Sequence, residues 1–481
     1  MLTMKQITNK ILLSFAAFAV LLAIGCTEDF EEINKNPNQP TEANNAYLLT
    51  NAQMQLNDNY WDEWLNGRCG MLWSQYWAQN EYTEESRYRA RPTTDNNYWL
   101  GFYRPLKDLQ EIIETNAERE NPNVNAVQVA RILKSYYYHV MTDVWGDIPY
   151  TEALAGTENL QASFDAQSDI YEGILTTLKD AQSKLNPESK QAIRGDMVYH
   201  GDVEKWKKFA NSLRLRVATR MKDANSSLAQ THYNEALSAG VFESNADNAT
   251  FVWGDAVPNN NPLNENQKTR TDFSISTTFM DALKAQNDPR IQIYAEPISP
   301  GSSEYVGMPY GMTNSDAAAI GNSTVSQPGW EVYKPDAPTI LMTYDEVLFI
   351  QEEWNNFDGS YFKDAVRANM NFWGVDAGAI DSYVASLPND PTEEQVFTQK
   401  WFALYMQGIQ AWSHVRRTNV PELERPQGGI MEAYIAQMEG WNVPRRRPYP
   451  NNIYDLNRAN LDAALERQGP DEIGVELWWD K

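Results

Sequence analysis

Cysteine and histidine are scarce in this chain: 2 Cys and 4 His among 481 residues. His139, His200, His232 and His414 stand far apart, and no HExxH, CxxC or tight His/Cys set occurs. Zinc sites announce themselves by such ligands at short spacings, so the sequence shows no recognisable zinc site. A GxSxG elbow, a Walker loop and a GxGxxG turn opening a helix are also missing, which removes the commonest hydrolase and nucleotide signatures and leaves no cofactor to expect. Positive charge is short as well. Lys plus Arg number 40 against 65 Asp plus Glu, a net charge of −25 that repels phosphate backbones and argues against nucleic acid as a partner. After the N-terminus no apolar run approaches the ~18 residues that cross a bilayer.

What is plentiful is aromatic: 16 Trp and 25 Tyr, flat amphipathic rings that suit sugar faces, peptides or core packing. At 42% hydrophobic residues the chain is globular and able to bury a large core.

Lys5 and Lys10 precede the apolar run 11–24, which ends at Gly25-Cys26. A basic start, an apolar stretch too short to span and a small residue before the cut describe an export signal over residues 1–25. Cys26 after that small residue resembles a lipobox, with Ala23 where the usual pattern has Leu. The resemblance implies an acylated Cys26 carrying diacylglycerol and palmitate; two or more chains hold a protein stably on a membrane. Cys69 is then the only other thiol, no internal disulfide forms, and the core must hold the fold. The acidic TEDFEE after Cys26 resembles the signal that sends lipoproteins to the outer face of the outer membrane. The plainer, less favoured reading is a solvated acidic tether. Residues 26–42 are a polar, Pro-bearing tether, and 43–481 a single domain.

Within that domain helical periodicity dominates. Apolar steps of three and four residues predict helices over Val124–Trp145, Tyr344–Trp354, Tyr361–Phe372, Glu393–His414 and Ile430–Met438, with others around Ile170–Leu185 and Trp206–Val217. Short strands are expected at Thr250–Trp253, Thr339–Met342 and Val475–Trp479. The stretch of about 252–338 is rich in Pro, Asn, Ser and Gly and reads as a long irregular loop able to bind.

Single residues with chemical promise have plainer readings. His139 fits a buried helix position. Asp147 beside Gly146 fits capping of neighbouring amides. Arg445-Arg446-Arg447 could take an anion, but with 65 acids available the commoner use is internal pairing. Paired carboxylates for glycoside hydrolysis leave no sequence spacing, because their separation is spatial.

Several segments together resemble the SusD/RagB family of surface nutrient-binding lipoproteins, in its second SusD-like branch. They are CTEDFEEINKNPNQPT at Cys26, DVWGDIPYTEAL from Asp143, WKKFANSLRLRVATRM from Trp206 and NDPRIQIYAEP from Asn287. MTYDEVLFIQEE from Met342, QKWFALYMQGIQAWSHVRRTNVPEL from Gln399, VPRRRPYPNNIYDLN from Val443 and the closing ELWWDK complete the series. Gln351-Glu352-Glu353 departs from the Ala-rich step usual there, which is expected to alter local packing only. The resemblance implies a mainly α fold in which four tetratricopeptide-like helix pairs carry long irregular loops and a few short strands. It also implies a non-enzymatic role: a lid on a SusC-like TonB-dependent barrel that captures an oligosaccharide, or in some members a peptide, for import. A surface glycoside hydrolase on a helical scaffold is the alternative.

The resemblance transfers no ligand residue, so binding candidates follow from position. Trp77, Asn80, Tyr82, Arg87 and Tyr88 lie where a helix runs into a polar loop; Tyr305, Tyr310, Trp330 and Tyr333 lie in the Pro/Gly-rich loop. Trp73 and Trp77, four apart, would share a helix face and serve packing as well as binding. Arg87, Arg89 and Arg91 form a possible basic patch.

Overall fold

The computed structural model describes Met4 and residues 44–480. Cys26, the export signal and the tether lie outside the described residues.

Helices α1 (Asn45–Trp61), α2 (Pro92–Ala117), α3 (Val124–Trp145), α4 (Gln167–Lys184), α5 (Val203–Arg220) and α6 (Ser226–Ala239) follow one another, each packed on the next in the pairs α1/α2, α3/α4 and α5/α6. Sequence sets their starts. Asn123, Asp202 and Asn225 each accept a hydrogen bond from the backbone N–H three residues on, satisfying a donor that the first turn leaves free. The stripe Val129, Leu133, Tyr136, Tyr137, Val140 and Val144 on α3 is fully buried, as the periodicity requires.

Residues 249–342 leave the scaffold and return through one antiparallel pair. Strand β2 (Ala249–Phe251) meets β4 (Thr339–Met342), with Thr250 opposite Ile340 and a register shift between Ala249 and Thr250. The intervening segment is more ordered than its composition suggests. It contains α7 (Pro262–Gln267), β3 (Phe273–Ile275), α8 (Thr277–Ala285), α9 (Ile291–Tyr294), α10 (Asn314–Ile320) and α11 (Trp330–Tyr333). Ser276 caps α8 through Phe279 N, and β3 pairs with β1 (Trp77–Gln79), setting Trp77 opposite Ile275. Arg290 pins the segment from inside, donating to Asp288, Asn369 and Gln399 with no exposed surface.

The fourth helix pair is α12 (Tyr344–Trp354) with α13 (Phe362–Phe372); α14 (Ala377–Ser386), α15 (Glu393–Ala403), α16 (Gly408–Thr418), α17 (Asn451–Leu456) and α18 (Arg458–Gln468) complete the chain. The architecture is the mainly α, tetratricopeptide-like scaffold expected.

Several local expectations are corrected. Glu393–His414 is two helices broken at 404–407, because the backbone must turn where α16 crosses the π-helical segment Glu63–Met71. At that crossing a side chain on Gly70 would lie 2.4 Å from the Gly408 carbonyl carbon, and Asn66 clasps both Met406 O and Gly408 N at 2.9 Å. Ile430–Met438 forms two short 3-10 turns, and Val475–Trp479 forms no strand. Trp77 is on a strand, so Trp73 and Trp77 share no helix face. Glu352 and Glu353 do more than adjust packing. Glu352 accepts the N–H groups of Gly359, Tyr361 and Phe362, while Glu353 takes both arms of Arg417 at 2.8 and 2.7 Å.

Candidate functional site

Aromatic side chains in the looped-out segment divide by burial. Tyr310 is enclosed at 4% exposure, while Trp330 stands half out of the surface at 49%. The difference is local: Trp330 opens the single-turn helix α11, held by its backbone N–H to Glu296 Oε1 at 2.8 Å, which leaves the indole free. Tyr333, three residues on, returns to the same side of that turn. Its ring meets Trp330 edge-on with centroids 5.4 Å apart. Burial raises the phenol pKa of both Tyr305 and Tyr333, and the nearby Glu296 carboxylate raises each further. Trp330, Tyr333 and Tyr305 therefore gather around one half-buried acid. Flat apolar faces beside a fixed acceptor suit C–H stacking together with hydroxyl hydrogen bonding.

A second exposed ring is Tyr82, 50% open, with the Arg270 guanidinium 5.2 Å above it. Arg270 is held by Asp272, which also receives Arg68 at 2.7 Å. Arg87 is half-buried and donates to Gly429 O at 2.8 Å. Arg91 pairs with Glu84 and Glu85, so the expected basic patch is partly neutralised.

The remaining candidates are inside. Trp77 donates its indole N–H to Tyr405 Oη, and Asn80 is spent on Thr271 O and Ser274 Oγ, both at 2.8 Å. Tyr88 donates to Asn442 O. With Tyr310 these four present no accessible face, because packing has taken their side chains. Glu296 and Arg270 were not singled out by sequence. One acid among 65 gives no signal, and Arg270 acquires its role only through the fold.

Burial pushes several carboxyl groups up. Asp62, raised to about 8, caps the π-helical segment; Asp345, raised to about 7, lies in the first turn of α12; Asp480, raised to about 6, pairs with Arg445. His139 is fully buried beside Asp143 and burial lowers its pKa to about 4, so it is neutral and enclosed. Asp147 accepts Gln167 N at 2.9 Å and Arg467 at 2.7 Å, the capping and pairing role expected. Arg445, Arg446 and Arg447 pair with Asp480, Asp471 and Asp95, which leaves no free anion clamp. Among the described residues no three His, Cys, Asp or Glu side chains converge as metal ligands, and no helix is long and apolar enough to cross a membrane.

Residues 37–450 match a family described as starch-binding and associating with the outer membrane. A search of curated proteins found no sequence match. Among solved structures, a chitin-binding protein superposes with a TM-score of 0.80 at 26% identity over 91% of this chain and 100% of its own. A SusD homologue from Bacteroides uniformis gives 0.78 at 24% identity, covering 90% of this chain and 99% of its own. A chitin-binding SusD homologue from Flavobacterium johnsoniae gives 0.78 at 22%, covering 90% and 98%.

Proposed function

The chain belongs to the SusD-like family, and from that membership we propose that it is a glycan-capturing lipoprotein of the outer cell surface. Acylated Cys26 anchors it in the outer membrane, and residues 26–42 tether a single domain beginning at 43. The domain sits as a lid on a SusC-like TonB-dependent barrel, to which it hands an oligosaccharide for import. It does not cut its cargo. The Trp330–Tyr333–Tyr305 platform around Glu296 carries this reading, because it offers stacking faces and a hydrogen-bond acceptor. The chitin-binding relative that covers almost the whole chain makes β-linked N-acetylglucosamine oligomers the first ligands to try.

The test is titration calorimetry of the purified protein with chito-oligosaccharides, malto-oligosaccharides and peptides. Binding of one oligosaccharide series, and its weakening in Trp330→Ala, is expected. Unchanged affinity in that variant would remove the platform from the binding site, and affinity for peptides alone would make the lid a peptide collector.

A further inference from the structure

The turn that follows β1 holds a tyrosine where the backbone least favours one. Tyr82 sits at φ +54°, in the left-handed region that a residue with a Cβ enters only against steric resistance. The turn is tied down on both sides of it. Asn80 donates its backbone N–H to Asp272 O at 2.8 Å, and Thr83 donates its own to Asn314 Oδ1 at 2.9 Å. The ring gains little from the fold in return, since it stays 50% exposed and joins neither buried cluster. Among the described residues its face meets only the Arg270 guanidinium, itself on the surface. Turn chemistry alone is better served there by Gly or Asn, and an exposed cation–π pair contributes little to stability. An exposed ring held on a strained backbone points to a use outside the fold.

Arg270 is positioned with equal care. Its Nε lies 2.9 and 3.0 Å from the two oxygens of Asp272, a buried carboxylate that also holds buried Arg68 at 2.7 Å. The guanidinium is thereby fastened at one nitrogen, and its two Nη nitrogens have no acceptor among the described residues. They bring donors without surplus charge. Arg68, Arg91 and Arg270 are matched by Glu84, Glu85 and Asp272, and the Glu63 carboxyl acts on Arg270 as well. An anionic ligand meets these carboxyl groups as repulsion; an uncharged oxygen simply accepts a hydrogen bond.

We propose that Tyr82 and Arg270 form a second sugar-holding surface of this protein, selective for uncharged glycans. The exposed part of the ring stacks on a pyranose C–H face, and the Arg270 Nη nitrogens donate to a hydroxyl or acetamido oxygen. The inference rests on the reading of the chain as a glycan collector, and it adds a contact on a different turn from Trp330.

Titration calorimetry of the purified protein with chitohexaose and maltohexaose tests it. Tyr82→Asn and Arg270→Met should each weaken the hexasaccharide that the wild type binds by about fivefold. The same hexasaccharide with its primary hydroxyls oxidised to carboxylates should bind more weakly than its parent; tighter binding would overturn the selectivity for uncharged ligands. Because Asn tolerates the left-handed conformation, Tyr82→Asn should keep its thermal midpoint at or above that of the wild type. A midpoint that falls together with affinity would make the ring structural and refute the proposal. If Trp330→Ala weakens binding while either Tyr82→Asn or Arg270→Met leaves it unchanged, the glycan reading stands and this surface falls. If neither hexasaccharide binds the wild type, the glycan reading falls and takes this surface with it.

Discussion

Trp330 and Trp77 carry the same side chain and meet opposite fates, one half exposed over Glu296, the other closed in against Phe273 and Tyr405. Their alanine variants should therefore separate. Trp330→Ala should weaken sugar binding about fivefold, the loss of about 1 kcal/mol of stacking, while leaving the denaturant midpoint in place. Trp77→Ala should lower unfolding stability by about 3–5 kcal/mol, read from the same denaturation curves. Sequence named both rings as candidates but could not say which was outside, since the burial of Trp77 depends on Phe273 and Tyr405, far along the chain. The arginine run was more legible. Its expected internal pairing is what the structure shows, with Arg447 Nη2 on Asp95 at 2.5 Å. Arg447→Met strands that carboxylate and should cost about 3–5 kcal/mol in chemical denaturation.

At the level of elements, the long helices were readable because a buried stripe repeats along the chain itself. Tyr344–Trp354 appears with the bounds the periodicity gave. Residues 252–338 were not readable, because their order comes from distant partners: β1 for β3, and Asn369 and Gln399 for Arg290. The break between α15 and α16 escaped for the same reason, since nothing local announces that Gly408 must meet Gly70. Gly70→Ala drives a methyl group into that backbone and should lower the unfolding free energy by about 1–3 kcal/mol or more, seen as a lower thermal midpoint. Helix α12 also carries a pH signature. Burial raises the Asp345 pKa to about 7, against about 4 in the free chain. The native state holds that proton more tightly between those values, so the stability it contributes is full in acid and is lost as pH rises through 7. Denaturation at pH 5.5 and 8.5 should show the wild type losing stability relative to Asp345→Asn; a constant difference would contradict the assignment.

Across the described residues, cohesion comes from one large aromatic-rich core and a smaller one around α13, laced with buried ion pairs. The thiol of Cys69 is buried, and burial raises its pKa to about 11, which makes it unreactive. The family resemblance read from DVWGDIPY, NDPRIQIYAEP and VPRRRPYP holds because those segments serve the scaffold: Asp147, Arg290 and Arg446 are all structural anchors. Trp330, Tyr333 and Tyr305 lie outside those segments, and only the fold brings them to Glu296, which lies inside one. If the domain is a lid, affinity purification of the full-length protein from its native membranes should bring down a large outer-membrane barrel. Most direct of all is incubation of the purified protein with the oligosaccharide it binds, following bound ligand and newly formed reducing ends in the same sample. Saturable binding with no growth of reducing ends is the expected result; a steady release of shorter sugars would show that the molecule cuts what it was said only to hold.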